Sequence, residues 1–376
     1  MEKLKLATVF SGIGAVEFAL KRMNVPYDIT FACDNGEREI EYDFQKEWDA
    51  IKGLKSIDEK QQYVENLYSQ KTRSANYVKQ SYLANYTCPE NRYFEDVRLL
   101  DGTDFKNQVD LFVGGSPCQS FSSVGFQGGL EDTRGTLFYD YARLIKEIQP
   151  KAFIYENVRN MLSLDNGADW QIILASLESL GYHLRYAVLD AEYYGIPQRR
   201  RRLIVVGLKK NVRFSFPPLT KKLSFYLKDL LIDNCPLGNY VCDNKGQIIP
   251  KPGKGSVEDY YYLTPLLYKY VMKGGTKTFY QKPIINCPVA RTVLKTMGNH
   301  HRAGIDNYVS NDGSTDLGKV RILTEREAHR LMGFTDDYKI VVSRSQAYKQ
   351  AGNSIVVDVL IAVLNEIIKS GIFKEE

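Results

Sequence analysis

Residues 4–23 constrain the fold more than any other part of the chain. Residues 4–10 (LKLATVF) suit a short buried strand, Ser11-Gly12-Ile13-Gly14 a tight turn, and Ala15, Phe18, Ala19 and Met23 then recur at helical spacing. Further apolar runs at 29–33, 109–113, 152–155, 183–189 and 202–208 read as strands, with helical patterns at 137–148 and 170–180. Strands alternating with helices predict an α/β fold, a Rossmann-like, mostly parallel, doubly wound sheet with helices on both faces. This first domain is predicted over 1–208. A smaller, irregular domain follows over 209–345, broken by Pro217-Pro218, Pro250 and Pro252-Gly253. Residues 346–376 are predicted to return as a helix to the first domain.

Two features stand apart from that alternation. Residues 37–85 are highly charged with helical apolar spacing, and are predicted to form an extended helix or helical hairpin inserted in the sheet domain. Residues 209–287 hold thirteen Lys or Arg against five Asp or Glu, together with eight of the 26 tyrosines, although the whole chain carries only +5. Basic residues interleaved with aromatics suit a polyanion with stackable bases. The six cysteines include no C-x-x-C pair, so neither a zinc site nor a disulfide framework is predicted. No apolar run reaches the roughly 18 residues of a membrane span and no signal peptide is evident, so a cytoplasmic location without membrane partners is expected.

Several residues have the setting that chemistry requires. Gly12 and Gly14 give a cofactor room to approach the backbone, and Asp34, twenty residues beyond Gly14, stands where a carboxylate can take ribose hydroxyls. Glu17 occupies the place of a third glycine, which favours an adenosine cofactor without a pyrophosphate. Cys118, within Gly114-Gly115-Ser116-Pro117-Cys118, follows a buried strand directly and reads as an exposed nucleophilic thiol. Glu156 ends another strand and would face the same cleft. In Gln198-Arg199-Arg200-Arg201-Arg202, alternation sends Arg200 and Arg202 to one face and Arg199 and Arg201 to the other.

With these residues in order, the chain resembles the DNA cytosine-5 methyltransferases of bacterial and phage restriction-modification type, along nearly its whole length. Phe10-Ser11-Gly12-Ile13-Gly14, Pro117-Cys118-Gln119, Arg134-Gly135-Thr136-Leu137-Phe138, Glu156-Asn157-Val158, Gln198-x-Arg200-x-Arg202, Arg291-Thr292 and Gly352-Asn353-Ser354-Ile355 are similar to that family's blocks. The resemblance implies the S-adenosylmethionine-dependent methyltransferase fold with a target-recognition domain, S-adenosylmethionine as cofactor, S-adenosylhomocysteine as product, and no metal. It implies double-stranded DNA as partner, a pairing with a restriction endonuclease, and a monomer. Cys118 would add to ring carbon 6 of a flipped-out cytosine, Glu156 would protonate or hydrogen-bond ring nitrogen 3, and Arg202 and Arg200 would hold base and acid.

For the cofactor, the resemblance points to Phe10, Ser11, Gly12, Ile13 and Gly14 in the loop, Asp34 with Asn35 at the ribose, and Asp96 with Val97 at the adenine. Pro117, Leu137, Asn353 and Ile355 would form walls. Asp34 replaces the family's commoner glutamate, and the 37–85 insertion stands where relatives have a short helix. Gln119, Ser122, Ser123, Val124 and Arg134 fall in or beside the segment expected to close on DNA.

A transfer-RNA methyltransferase on the same fold is the nearest alternative, although the Cys-Phe-Thr tripeptide of those enzymes does not occur. A silent DNA-binding relative should have lost the cysteine, the glutamate or the glycines. Glu17 disfavours a nicotinamide oxidoreductase, and the presence of only four histidines disfavours a cysteine hydrolase.

Overall fold

The computed structural model describes residues 2–117, 137–219, 222–273 and 282–374. Its centre is a seven-stranded sheet made by β1 (Leu4–Val9), β2 (Tyr27–Cys33), β3 (Tyr93–Phe94), β4 (Leu111–Gly114), β5 (Ala152–Val158), β6 (His183–Asp190) and β7 (Arg201–Leu208). The spatial order is β3-β2-β1-β4-β5-β7-β6, and β7 runs antiparallel to both neighbours. The chain winds outward from β1 through β2 to β3, then returns to place β4 on the other side of β1. Ligands in open sheets of this kind bind beyond the carboxyl ends of the strands at that switch point.

Each central strand serves two cores because successive side chains point to opposite faces. Ala152, Ile154, Ile204 and Val206 enter one core, while Phe153, Tyr155, Leu203 and Val205 enter the other. The first core is covered by α1 (Ala15–Arg22), which packs on the C-terminal helix of the chain, and the second by helices at Leu137–Ile148 and Ala168–Glu178.

The inserted segment departs from the predicted single helix or hairpin. It forms three helices, α2 (Phe44–Gly53), α3 (Ile57–Lys71) and α4 (Tyr77–Asn85). The extra breaks have local causes. Ser56 and Glu59 form a capping box that starts α3, and the Asn76 side chain accepts from Lys79 N to start α4. Ile51, Val64, Leu67 and Tyr68 make a small core with Leu99. The helices covering the second core are α5 (Leu137–Ile148) and α6 (Ala168–Glu178).

Beyond β7 come α7 (Leu227–Leu230), the antiparallel pair β8 (Tyr240–Cys242) and β9 (Ile248–Pro250), and α8 (Pro265–Met272). The pair β10 (Tyr308–Val309) and β11 (Arg321–Ile322) follows, then α9 (Glu325–Leu331), α10 (Arg344–Asn353) and α11 (Val357–Lys369). Tyr261, Leu263, Val271, Ala303, Tyr308, Val320 and Ile322 form a separate small core. Phe225, Leu227, Leu230, Tyr240, Leu323, Ala328 and Leu331, from the segment predicted as a second domain, instead join the first core of the sheet domain. Buried Arg22 on α1 fastens this arrangement, bonding to the carbonyls of Gly246 and Gly333 and pairing with Asp358 on α11 at 2.7 Å. Residues 344–369 are apolar enough in composition for a membrane span, but here α11 buries Val357, Leu360, Val363, Leu364 and Ile367 in the core.

Candidate active site

The reversal of β7 creates the central feature of the site. Because β7 is antiparallel to β5, its beginning lies beside the end of β5, with Arg202 opposite Val158 and Ile204 opposite Glu156. Arg202 Nε lies 3.1 Å from Glu156 Oε1, and both side chains are largely buried. Burial pushes the Glu156 pKa up, and the opposing charges of Arg202 and Arg200 reduce that rise without cancelling it. The end of β4 comes equally close: a Cβ on Gly115 would lie 2.7 Å from the Glu156 carbonyl oxygen and 3.0 Å from Oε2. A glycine is needed there for the strand ends to converge.

The arginine run alternates as predicted. Arg199 and Arg201 have side-chain exposures of 72% and 58% and pair with Glu192 and Asp190, while Arg202 turns inward at 18%. Arg200 is fully enclosed, but its guanidinium is taken up by backbone. Nη1 donates to Val293 O, and Nη2 donates to Gly352 O and Ser354 O. Burial and the neighbouring Arg202 bring its pKa down to about 9 against the favourable charge of Glu156. Gln198 is also buried, accepting from Val293 N and donating to Leu331 O. Thr292 Oγ1 donates to Arg199 O, and a cavity of about 370 Å³ opens beside Val158, Arg159, Asn160, Arg199, Arg201, Arg202 and Thr292.

A groove also lined by Gly115 brings together Phe10, Ser11, Gly12 and Ile13, Val113 and Gly114, and Asn353 and Ile355. Its loop is held from below. Asp34 Oδ2 accepts from Gly12 N and Oδ1 from Gly36 N, each at 2.9 Å or less, and burial raises the Asp34 pKa despite these bonds. Gly14 has φ +74°, and a Cβ there would fall 2.1 Å from the Tyr86 ring, whose hydroxyl donates to Gly14 O. The groove's apolar walls and the Asn353 amide, with Asp34 behind the loop keeping lone pairs beyond its bonds to Gly12 N and Gly36 N, are groups compatible with an adenosine-bearing cofactor.

Asp96 is placed differently from the resemblance. Its oxygens accept from Tyr42 OH, Tyr68 OH, Arg98 Nε, Arg98 Nη2 and Arg98 N. A carboxylate offers about four lone-pair sites, so this side chain has little capacity left for an adenine amine. Val97 is buried beside it, Asn35 closes its own turn with Glu37 N and Arg38 O, and Leu137 begins α5 half-buried. Pro117 is exposed at the end of the described loop. Cys118, Gln119, Ser122, Ser123, Val124 and Arg134 lie outside the described residues.

Sequence reasoning missed the support given by Tyr42 and Tyr68 in the insertion and by Tyr86 just after it, because such long-range contacts leave no local spacing. It also missed Glu37, which accepts from Asn353 Nδ2 at 2.7 Å and pairs with Lys349 at 2.6 Å on the rim of the groove.

A mostly parallel sheet with one reversed strand, a glycine loop after β1 and a carboxylate–arginine pair at the β5/β7 junction define an α/β methyltransferase. More particularly, the chain belongs to the C-5 cytosine-specific DNA methylases, whose family model matches residues 4–369. It is a DNA (cytosine-5-)-methyltransferase of restriction-modification type.

It is 35% identical over 308 residues to the type II methyltransferase M.SsoII of Shigella sonnei, covering 78% of this chain and 72% of that protein. It is 36% identical over 256 residues to M.HhaI of Haemophilus parahaemolyticus, covering 67% and 73%. To M.HpaII of Haemophilus parainfluenzae it is 30% identical over 382 residues, covering 98% and 90%. The crystal structure of the S. pombe Dnmt2 methyltransferase shares the fold at TM-score 0.66 and 16% identity, covering 98% of this chain and 99% of that one.

Proposed function

We propose that this enzyme methylates carbon 5 of a cytosine flipped out of a specific double-stranded DNA sequence, through a covalent adduct with Cys118. The observation that carries this reading is the buried Glu156–Arg202 pair, whose acid has a raised pKa beside the strand end that leads to Cys118. The Cys118 thiolate adds to ring carbon 6 and Glu156 delivers a proton to ring nitrogen 3, relieving the electron density that addition creates. Arg202 orients the acid and the base oxygen through its fixed fork of donors. When bound, S-adenosylmethionine supplies the electrophilic methyl group, with Phe10, Ile13 and Ile355 as walls, Asp34 below the loop and Asn353 at the rim. A base then takes the carbon 5 proton, the electrons of that bond re-form the ring 5,6 double bond and expel Cys118 as thiolate, and the nitrogen 3 proton returns to Glu156.

The arginines around the neighbouring cavity suit phosphates of the target strand, and the basic, tyrosine-rich segment 209–287 suits DNA recognition. Modification of host DNA against a cognate endonuclease, in the cytoplasm and as a monomer, is the biological role we assign. Base-resolution bisulfite sequencing of DNA from cells expressing wild type or Cys118→Ser tests the reading. Protected cytosines in one short recurring motif, lost in the variant, are expected. Absence of protection in the wild type would overturn it, and modified cytosine in RNA would mark the transfer-RNA alternative.

A further inference from the structure

Glu156 and Arg202 account for one face of the end of β5, whereas the other face carries a polar cluster that the proposed chemistry does not use. Tyr155 and Asn157 flank Glu156 and, two residues apart on a strand, share that opposite face. The Tyr155 ring packs against Phe138 and Tyr141, and its hydroxyl lies 2.9 Å from Ser116 Oγ. Asn157 Nδ2 donates to the same hydroxyl at 2.8 Å and to Ser116 O at 3.1 Å, while Asn157 Oδ1 accepts from Val158 N. All three residues are buried, Ser116 at 5%, Asn157 at 3% and Tyr155 at 0% exposure.

The cluster joins the ends of two strands at the point where chain direction matters most. Ser116 is two residues beyond the end of β4, and only Pro117 separates its held carbonyl from residue 118. The proline ring fixes φ, so once the Ser116 carbonyl is oriented little rotational freedom remains before residue 118. An aliphatic side chain at 155 would fill the same core, but it would leave the Ser116 hydroxyl and one Asn157 N–H without this partner.

We propose that Tyr155 is a positioning residue for methyl transfer, its hydroxyl locking the Ser116–Pro117 segment against the strand that bears Glu156. This rests on the assignment of Cys118 as nucleophile and Glu156 as acid. Tyr155→Phe keeps the ring and removes only the bridging hydroxyl. In single-turnover assays the methyl-transfer rate is expected to fall about 10- to 100-fold, the scale on which small misplacement acts. The KM for S-adenosylmethionine should be unchanged, and the thermal midpoint should move by no more than about 3 °C. Covalent trapping on DNA carrying 5-fluorocytosine, which reports adduct formation, should slow in step with the rate.

Ser116→Ala should behave alike, and the double variant should be no slower than the slower single one, because both remove one interaction. A wild-type rate in Tyr155→Phe overturns the inference, as does a loss that merely follows cofactor affinity or thermal stability. Should Tyr155→Phe fail to fold, Ser116→Ala decides by the same readings. An inactive wild type, or a fully active Cys118→Ser variant, would instead overturn the underlying reading and this inference with it.

Discussion

Arg202 Nε lies 3.1 Å from Glu156 Oε1 because the strand that carries the arginine runs against the strand that carries the acid. The arrangement keeps an acid whose pKa is raised by burial beside a guanidinium that steers it and opposes part of that rise. Removing the acid should therefore harm chemistry far more than binding. Glu156→Gln is expected to lower kcat about 10²- to 10⁴-fold, the usual range for a lost general acid, with S-adenosylmethionine affinity retained in calorimetry. In the wild type, activity limited by the protonated acid should decline as pH rises through the elevated Glu156 pKa, and the residual activity of Glu156→Gln should lack that limb.

Arg200 answers to a different test. It gives its donors to Val293 O, Gly352 O and Ser354 O, so it ties the start of β7 both to the segment after Arg291-Thr292 and to the groove wall at Asn353. Arg200→Met would leave three enclosed carbonyls without this donor. At about 1–3 kcal/mol for each unsatisfied group, a destabilisation of about 3 kcal/mol or more is expected from urea unfolding. A stability change below about 1 kcal/mol, within the range of a surface substitution, would contradict the assignment.

The saturation of Asp96 makes a prediction about the insertion. Tyr42→Phe combined with Tyr68→Phe removes two of its five donors while keeping both rings. The expected result is a thermal midpoint lowered by several degrees, since each lost bond to a charged group contributes about 1.5–3 kcal/mol. If Asp96 serves the insertion rather than the adenine, S-adenosylmethionine affinity should fall less than tenfold. A larger loss of affinity at unchanged stability would return Asp96 to the cofactor.

Glu17 provides a pH signature. It is fully buried on α1, and its Oε1 accepts from Thr8 Oγ1 and Tyr82 OH. Burial raises its pKa above the ordinary 4.5, and the hydrogen bonds oppose that only in part. The folded state thus binds that proton more tightly than the unfolded chain does. Its contribution to stability is complete below the unfolded carboxylate value and is lost as pH rises through the folded one. Urea midpoints of wild type should fall relative to Glu17→Gln as pH is raised, and a constant difference would show that Glu17 does not titrate in that interval.

The sheet and its working edge were legible in sequence because they depend on local signals. Apolar runs located six of the seven sheet strands within a few residues and missed only the two-residue β3, the glycine turn marked the loop, and alternation alone separated Arg200 and Arg202 from Arg199 and Arg201. The sequence also carried Glu156 at a strand end. It could not supply the antiparallel direction of β7, which depends on which neighbour the strand pairs with and is what brings residue 202 beside residue 156.

Long-range partners escaped for the same reason. Asp96 bonds to tyrosines 54 and 28 residues away, Tyr86 supports a glycine 72 residues before it, and Arg200 reaches carbonyls 93, 152 and 154 residues on. Such partnerships are set when separate elements pack and their buried polar groups must be satisfied. Residue type and spacing determined the fold class and the chemistry available to this protein. Tertiary packing decided which carboxylate is saturated, which arginine is enclosed, and which hydroxyl holds the strand ends together.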